Sequence, residues 1–333
     1  MNILLLTAHS IAEYDDVRML TDLGYDVFSI GAYTDPAHPA DDKRPALPDV
    51  AAHPDLAALV PDQMAAKANL PVELLDWSDV IIAHHFVDQW IAEQWSRIRH
   101  KRVIWRTCGQ SNPALERRMN PLRFEGLEIV RYSPCERDHF EARGSWAGQD
   151  ALIRFGKYES DYGGWSGTDD IVANVTQNMA ERGDFCGLSF WLAATAGLPA
   201  HPAGPGSVDL PGGVGPLSYD GLHQYLRRSR AYLYTGTVPA SYTLGVIEAL
   251  MTGIPTVTIG AQAWSGPSDL FECGGFAMAY NDPADAHSAL RQLLRDEPHA
   301  RAVGTAQRHN AQALFGVNHG GIGLQWRNLL GAP

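Results

Sequence analysis

The sequence predicts an α/β fold built from two doubly wound parallel-sheet domains. Three observations carry this expectation. The 333-residue chain has room for two domains of roughly 150 residues each. Short apolar, β-branched runs alternate along it with segments whose apolar residues recur at helical spacing. A glycine-rich stretch, DYGGWSGTDD from Asp161 to Asp170, interrupts the alternation with the composition of an interdomain linker. The expected organisation is an N-terminal domain over 1–160, a linker over 161–170 and a C-terminal domain over 171–315. A helix within 316–333 is expected to pack back on the first domain.

Bulk composition narrows the class. Apolar content of 45% suffices for two cores, and charged content of 19% is low. A net charge of −12 argues against a sequence-independent grip on nucleic acid, although arginine-rich stretches over 97–106 and 117–131 leave a local basic groove open. Cys108, Cys135, Cys186 and Cys273 are scattered without a CxxC pair, so no metal site is read from them. Free thiols point to a reducing cytoplasm. No apolar run approaches the ~18 residues of a membrane span. MNILLLTAHS lacks a basic start and reads as a first strand.

In the first half, Asn2 to Ala8 and Gly24 to Gly31 read as strands around a helix that ends near Leu23. This βαβ opening suits a doubly wound sheet, whose ligands bind at the carboxyl ends of the strands. No GxGxxG follows the first strand, so dinucleotide binding is not supported. Tyr33 to Pro61, rich in Pro, Asp and Ala, reads as a long loop. Strands follow at Trp77 to Phe86, Lys101 to Ser111, Leu127 to Pro134 and Ala151 to Tyr158. Candidates for acid/base or acceptor contact stand at their ends: His84 and His85, then Arg106 and Gln110, then Arg154 and Lys157. The plainer reading of each histidine is a core or loop residue.

In the second half, Ile171 to Gln177 restarts the alternation and a helix follows over Cys186 to Ala196. The segments HPAGPGS and PGGVGP read as a loop-rich edge, and Ser218 to Ser229 as a helix. The most informative stretch is Arg230 to Gly260, RAYLYTGTVPASYTLGVIEALMTGIPTVTIG. It reads as strand, loop, helix and strand, the helix being closed by Gly253 and Pro255. A helix start delivered at the end of a parallel strand is an anion site, because free N–H groups and the helix dipole point at the ligand. The backbone at Thr243 and Leu244 is placed there, with Gly245 beside it. Glu248 offers the carboxylate that two ribose hydroxyls need. The plainer reading is an ordinary βαβ unit with a solvated glutamate. Beyond it, a strand is expected at Gly275 to Ala279 and helices over Asp282 to Arg295, Pro298 to Leu314 and Gly321 to Leu330.

The run GPLSYDGLHQYLRRSRAYLYTGTVPASYTLGVIEALMTGIPTV, in the C-terminal half, resembles the retaining family-four glycosyltransferases. The resemblance covers about Ile171 to Leu330 and is most specific over Tyr242 to Val257. It implies the GT-B architecture, two facing Rossmann-like doubly wound domains with a cleft between them. It also implies that Glu248 contacts the donor ribose. The family's other carboxylate, eight positions earlier and facing the sugar, corresponds to Ala240, so Ser241 or Tyr242 would substitute. The family's paired diphosphate cations fall on TQNMAERG, where Gln177 replaces one and Arg182 stands for the other. Its N-domain histidine falls near Cys108.

The reading is therefore a cytoplasmic glycosyltransferase. It moves a sugar from a nucleotide-diphosphate donor, UDP or GDP, to an unidentified acceptor, with retention implied by the resemblance. Arg182, His84 and His85 are its candidate catalytic residues. Ser241, Tyr242, Thr243, Leu244, Gly245, Glu248 and Arg182 are its donor contacts, and Arg106, Gln110, Arg154 and Lys157 its acceptor-side candidates. No cofactor or metal is required. The alternatives are a nucleotide-sugar epimerase of the same architecture, a non-catalytic sugar-nucleotide-binding protein, and a glycosyltransferase of modified nucleic-acid bases.

Overall fold

A computed structural model of the protein describes residues 1–7, 9–30, 53–60, 69–85, 88–109, 111–263, 270 and 278–333. Gln110 and Cys273 lie outside the described residues, as does most of the loop expected over Tyr33 to Pro61. The chain divides into two compact units, residues 1–156 with 321–333, and residues 157–320.

The first unit runs β1 (Asn2–Leu6), α1 (Ser10–Asp22), β2 (Asp26–Ile30), α2 (Pro54–Leu59), α3 (Val72–Trp77), β3 (Val80–His84) and α4 (Asp88–Ile98). It continues with β4 (Arg102–Arg106), α5 (Pro113–Phe124), β5 (Glu128–Arg131), α6 (Cys135–Glu141) and β6 (Ala151–Leu152). The strands form one sheet in the order β2-β1-β3-β4-β5-β6, with every described pairing parallel. Strands covered on both faces must be apolar throughout, which is why ILLL and VIIA show no alternation. Leu4, Ile81, Val103 and Ile129 pack there with Ile91, Trp95 and Met119 from the helices.

The second unit begins with β7 (Asp169–Val175), the short α7 (Met179–Arg182), α8 (Leu188–Ala194) and β8 (Ala200–Ala203). It continues with α9 (Tyr219–Arg228), β9 (Ser229–Tyr234), α10 (Leu244–Thr252), β10 (Thr256–Ile259), β11 (Met278–Tyr280), α11 (Pro283–Arg295) and α12 (Glu297–Phe315). Its parallel sheet has the order β11-β10-β9-β7-β8. Val172, Leu233 and Val257 meet Trp191 and Leu290 in its core. The last helix, α13 (Ile322–Leu330), belongs to the first unit.

The elements depart from the expectations in several places. Ala200–Ala203, expected as loop, is a strand at the edge of its sheet. Pro202 disguises it, since proline donates no ladder hydrogen bond and is confined to edges. Pro113–Phe124 is a helix that hydrophobic patterning did not reveal. Its signal was Asn112-Pro113: the Asn112 side chain accepts from Ala114 and Leu115 N–H, and Pro113 occupies the first turn. The strand expected to reach Tyr158 ends at Leu152, at the edge of the sheet beside β5, with which it pairs over two residues. The stretch expected as a linker lies inside the second unit, where Arg227 Nε donates to Gly163 O at 2.9 Å and Trp165 Nε1 to Ser229 O at 2.8 Å.

Candidate functional site

In the second sheet β7 lies between β8 and β9, so the strand order reverses there. Open parallel sheets bind ligands outside the carboxyl ends at such a reversal. Two loops converge on it. The one after β7, Thr176–Asn178, is held by the glycine-rich segment that follows β8. Thr176 N donates to Ala203 O at 3.2 Å and Asn178 N to Pro205 O at 2.7 Å. Gly204 has φ +116°, and a Cβ there would stand 2.9 Å from the Thr176 carbonyl oxygen, so only glycine permits this approach. The other loop, after β9, is tied down by Thr235 Oγ1 donating to Cys186 O at 2.6 Å and Val238 N donating to Phe185 O at 2.8 Å.

That second loop delivers the start of α10. Thr243 is the N-cap, extended at φ −113°, and its side chain makes no capping hydrogen bond. The first N–H groups of a helix lack partners within it, so the start of α10 presents donors and the positive end of the dipole. Gly245 lets the helix sit close to β7, since a Cβ there would lie 3.2 Å from the Val175 carbonyl oxygen. Ala240, Ser241 and Tyr242 are buried just ahead of it, and the Tyr242 ring meets Phe315 edge-on at 5.3 Å. Arg182, half-buried at the end of α7, donates to Gln177 O at 3.4 Å.

Glu248 lies one turn into α10 and is 2% exposed. A buried carboxylate is costly unless paired and hydrogen-bonded. Its partner is Lys157, whose Nζ lies 2.8 Å from Oε1, and the Tyr162 hydroxyl donates to the same oxygen at 3.4 Å. Lys157 was expected on the first half of the chain as an acceptor-side contact; it belongs to the second unit, and its ammonium turns onto Glu248. Its backbone is held at both ends of the peptide, with Lys157 N donating to Phe315 O at 2.7 Å and Val317 N to Lys157 O at 3.0 Å.

The first unit gathers a separate polar cluster at the reversal between β1 and β3. His84 is buried, with Nδ1 2.8 Å from Thr7 Oγ1 and Nε2 3.1 Å from Asp16 Oδ2. Burial opposes the charge on His84, but Cys108 and Asp16 more than offset it and raise its pKa to about 9. Arg106 is fully buried, with Nη1 2.6 Å from the same Asp16 oxygen and its guanidinium over the Phe155 and Trp326 rings at 5.3 and 4.9 Å. The structure thus places His84 and Arg106 inside the unit, where Asp16 engages both. His85 is also buried and accepts from Cys108 N at 2.9 Å; burial, with the charges of His84 and His9, pushes it down to about 3. Arg154 is half-buried, and its carbonyl accepts from Arg106 at 3.4 Å.

Sequence reasoning missed Asp16, Thr7 and Tyr162 as partners. Only the helical register of Asp16 hinted at its direction. Among the described residues no group of three or more His, Cys, Asp or Glu is placed to hold a metal ion, and no helix is long and apolar enough to cross a membrane. Cys108, Cys135 and Cys186 are free thiols.

Residues 189–319, which span both loops after β8 and β9 and the whole of α10, match a family model described as "Glycosyl transferase-like". That stretch is similar to glycosyltransferases, and it lies on a fold that solved glycosyltransferases share. Solved glycosyltransferase structures share the chain's two-sheet GT-B fold over the full length. Sucrose-phosphate synthase from Thermosynechococcus elongatus is 16% identical at a TM-score of 0.69, with 100% of each chain covered. HepE from Anabaena, in complex with UDP-glucose, is 13% identical at 0.67 with the same coverage. An α-glucosyltransferase in complex with UDP and a 13-mer DNA containing a HMU base is 10% identical at 0.66, covering 99% of this chain and 98% of its own. No curated protein sequence matches this chain.

Proposed function

We propose that the protein transfers a sugar from a nucleotide-diphosphate donor, with UDP as the nucleotide, to an acceptor with retention of configuration. One observation carries the reading: the uncapped start of α10 stands at the strand-order reversal, with the buried Glu248 carboxylate one turn behind it. In this reading the diphosphate meets the amides of Leu244 and Gly245, and Arg182 adds a cation from the neighbouring loop. Glu248 accepts hydrogen bonds from the ribose hydroxyls. Ser241 and Tyr242 face the sugar where Ala240 brings no carboxylate.

The chemistry is electrostatic. As the glycosidic bond breaks, the leaving diphosphate gains negative charge, and donors already oriented toward it stabilise that charge without reorganising. Removing one such donor typically costs ~3 kcal/mol at the transition state. UDP is favoured over GDP because HepE, a neighbour of the same fold, was captured with UDP and with UDP-glucose.

The test is a thermal-shift series with UDP-, GDP-, ADP- and dTDP-sugars. A ligand bound only by the folded chain raises its stability by about 2.7 kcal/mol at a hundred times Kd. UDP-sugars are expected to give the largest shift, and Glu248→Ala to abolish it. Turnover then follows over free sugars, sugar phosphates and HMU-containing DNA, the last because one neighbour was captured with such DNA. No shift with any donor sinks the reading. A shift without donor consumption on every acceptor refutes the transfer step.

A further inference from the structure

Glu248 and Lys157 are 91 residues apart in sequence, and both are almost wholly enclosed. Lysine is rarely buried to this degree unless paired. A buried ion pair is also a poor way to gain stability, since well-packed apolar residues of similar volume usually serve as well or better. What the pair does accomplish is chemical. A carboxyl group buried without a cation tends to become neutral, and a neutral carboxyl carries a hydroxyl in place of an acceptor oxygen. Lys157 sets its ammonium 2.8 Å from Glu248 Oε1, and with Tyr162 it holds that oxygen in one direction.

Lys157 is itself held. Its peptide pairs with Phe315 and Val317, and Phe315 packs on Tyr242, which precedes the N-cap of α10. The ammonium is thereby anchored to the same framework that sets the start of α10.

We infer that Lys157 is a positioning residue for nucleotide recognition, orienting and charging the Glu248 carboxylate so that it selects ribose over deoxyribose. The inference rests on Glu248 being the ribose ligand. Lys157 acts through Glu248 and does not touch the nucleotide.

The test is calorimetric titration of UDP and of 2′-deoxyuridine diphosphate into the wild type, Lys157→Met, Lys157→Gln and Lys157→Arg. A hydrogen bond to a charged group makes the wild type favour UDP by about tenfold or more. Lys157→Met is expected to bring that ratio close to one, mainly by weakening UDP, while Lys157→Arg retains most of it. Should Lys157→Met fail to fold, Lys157→Gln carries the same test, since it keeps a hydrogen-bond donor and removes the charge. A variant that weakens both nucleotides equally and leaves the ratio intact overturns the inference, because that is the signature of a structural staple alone. Wild-type protein that binds neither nucleotide refutes the proposed function. Wild-type protein that binds both equally refutes the ribose role of Glu248, and the inference about Lys157 falls with it.

Discussion

Arg106 Nη1 donates to Asp16 Oδ2 at 2.6 Å, and His84 Nε2 stands 3.1 Å from the same oxygen, all three side chains being buried. One carboxylate oxygen therefore joins α1 to the ends of β3 and β4. The indole of Trp326, on α13, closes over the guanidinium. Three residues far apart in sequence thus form one buried ionic knot at the carboxyl edge of the first sheet.

Arg106→Ala is expected to destabilise the first unit by about 3–5 kcal/mol, since it leaves the Asp16 carboxylate buried with half its compensation removed. Urea denaturation followed by tryptophan fluorescence reads this directly. An unchanged midpoint would show that Arg106 is not part of the framework.

The same knot predicts a pH dependence. A histidine whose pKa is raised in the folded chain stabilises it fully below the unfolded value of 6.5, and that contribution is lost as pH climbs through about 9. Glu136, pushed up to about 7 by burial against the opposing pull of Arg131, works in the same direction between about 4.5 and 7. His85, pushed down to about 3, works the other way, its contribution vanishing as pH falls below 6.5. Above pH 7 His84 is the one of these three that titrates. The melting temperature is expected to fall between pH 7 and 9.5, and His84→Gln to flatten that slope. A wild-type melting temperature constant over this window contradicts the assignment.

Gly245→Val tests the donor site from its packing side. A branched side chain cannot fit where even a Cβ lies 3.2 Å from the Val175 carbonyl, so the first turn of α10 must move off β7. Overpacking of this kind costs about 1–3 kcal/mol. The variant is expected to lose the UDP-sugar thermal shift while remaining folded. Retention of the full shift would place the nucleotide elsewhere.

Arg182→Ala is expected to lower kcat by roughly tenfold to a hundredfold, less than a fully enclosed donor would, because the side chain is only half-buried. Turnover is expected to survive EDTA, since in the proposed function Arg182 and the α10 amides supply the positive charge. Loss of activity in EDTA that magnesium restores would contradict this.

Much of the fold was legible in the chain. Unbroken apolar runs such as Ile3–Leu6 and Val80–Ala83 announced buried parallel strands, and TLGVIEALMTG announced a helix with its stop. The strand at Ala200 was hidden by Pro202, and the helix at Pro113 by a polar surface that blurs the apolar stripe. At the candidate site, the start of α10 was visible from glycine, threonine and periodicity, which act within a few residues.

By itself the sequence determined most of the strands and helices, where α10 begins, and which charged residues stand at strand ends. Only the tertiary structure decided their partners. Lys157 and Arg106 were both read as acceptor-side candidates; Lys157 pairs with Glu248, and Arg106 is enclosed with Asp16 and Trp326. The physical reason is one of range. Periodicity reports the local split between water and core. The fate of a charged side chain depends on which opposite charge strand order and helix packing bring within 3 Å of it, and those neighbours lie some 90 residues away.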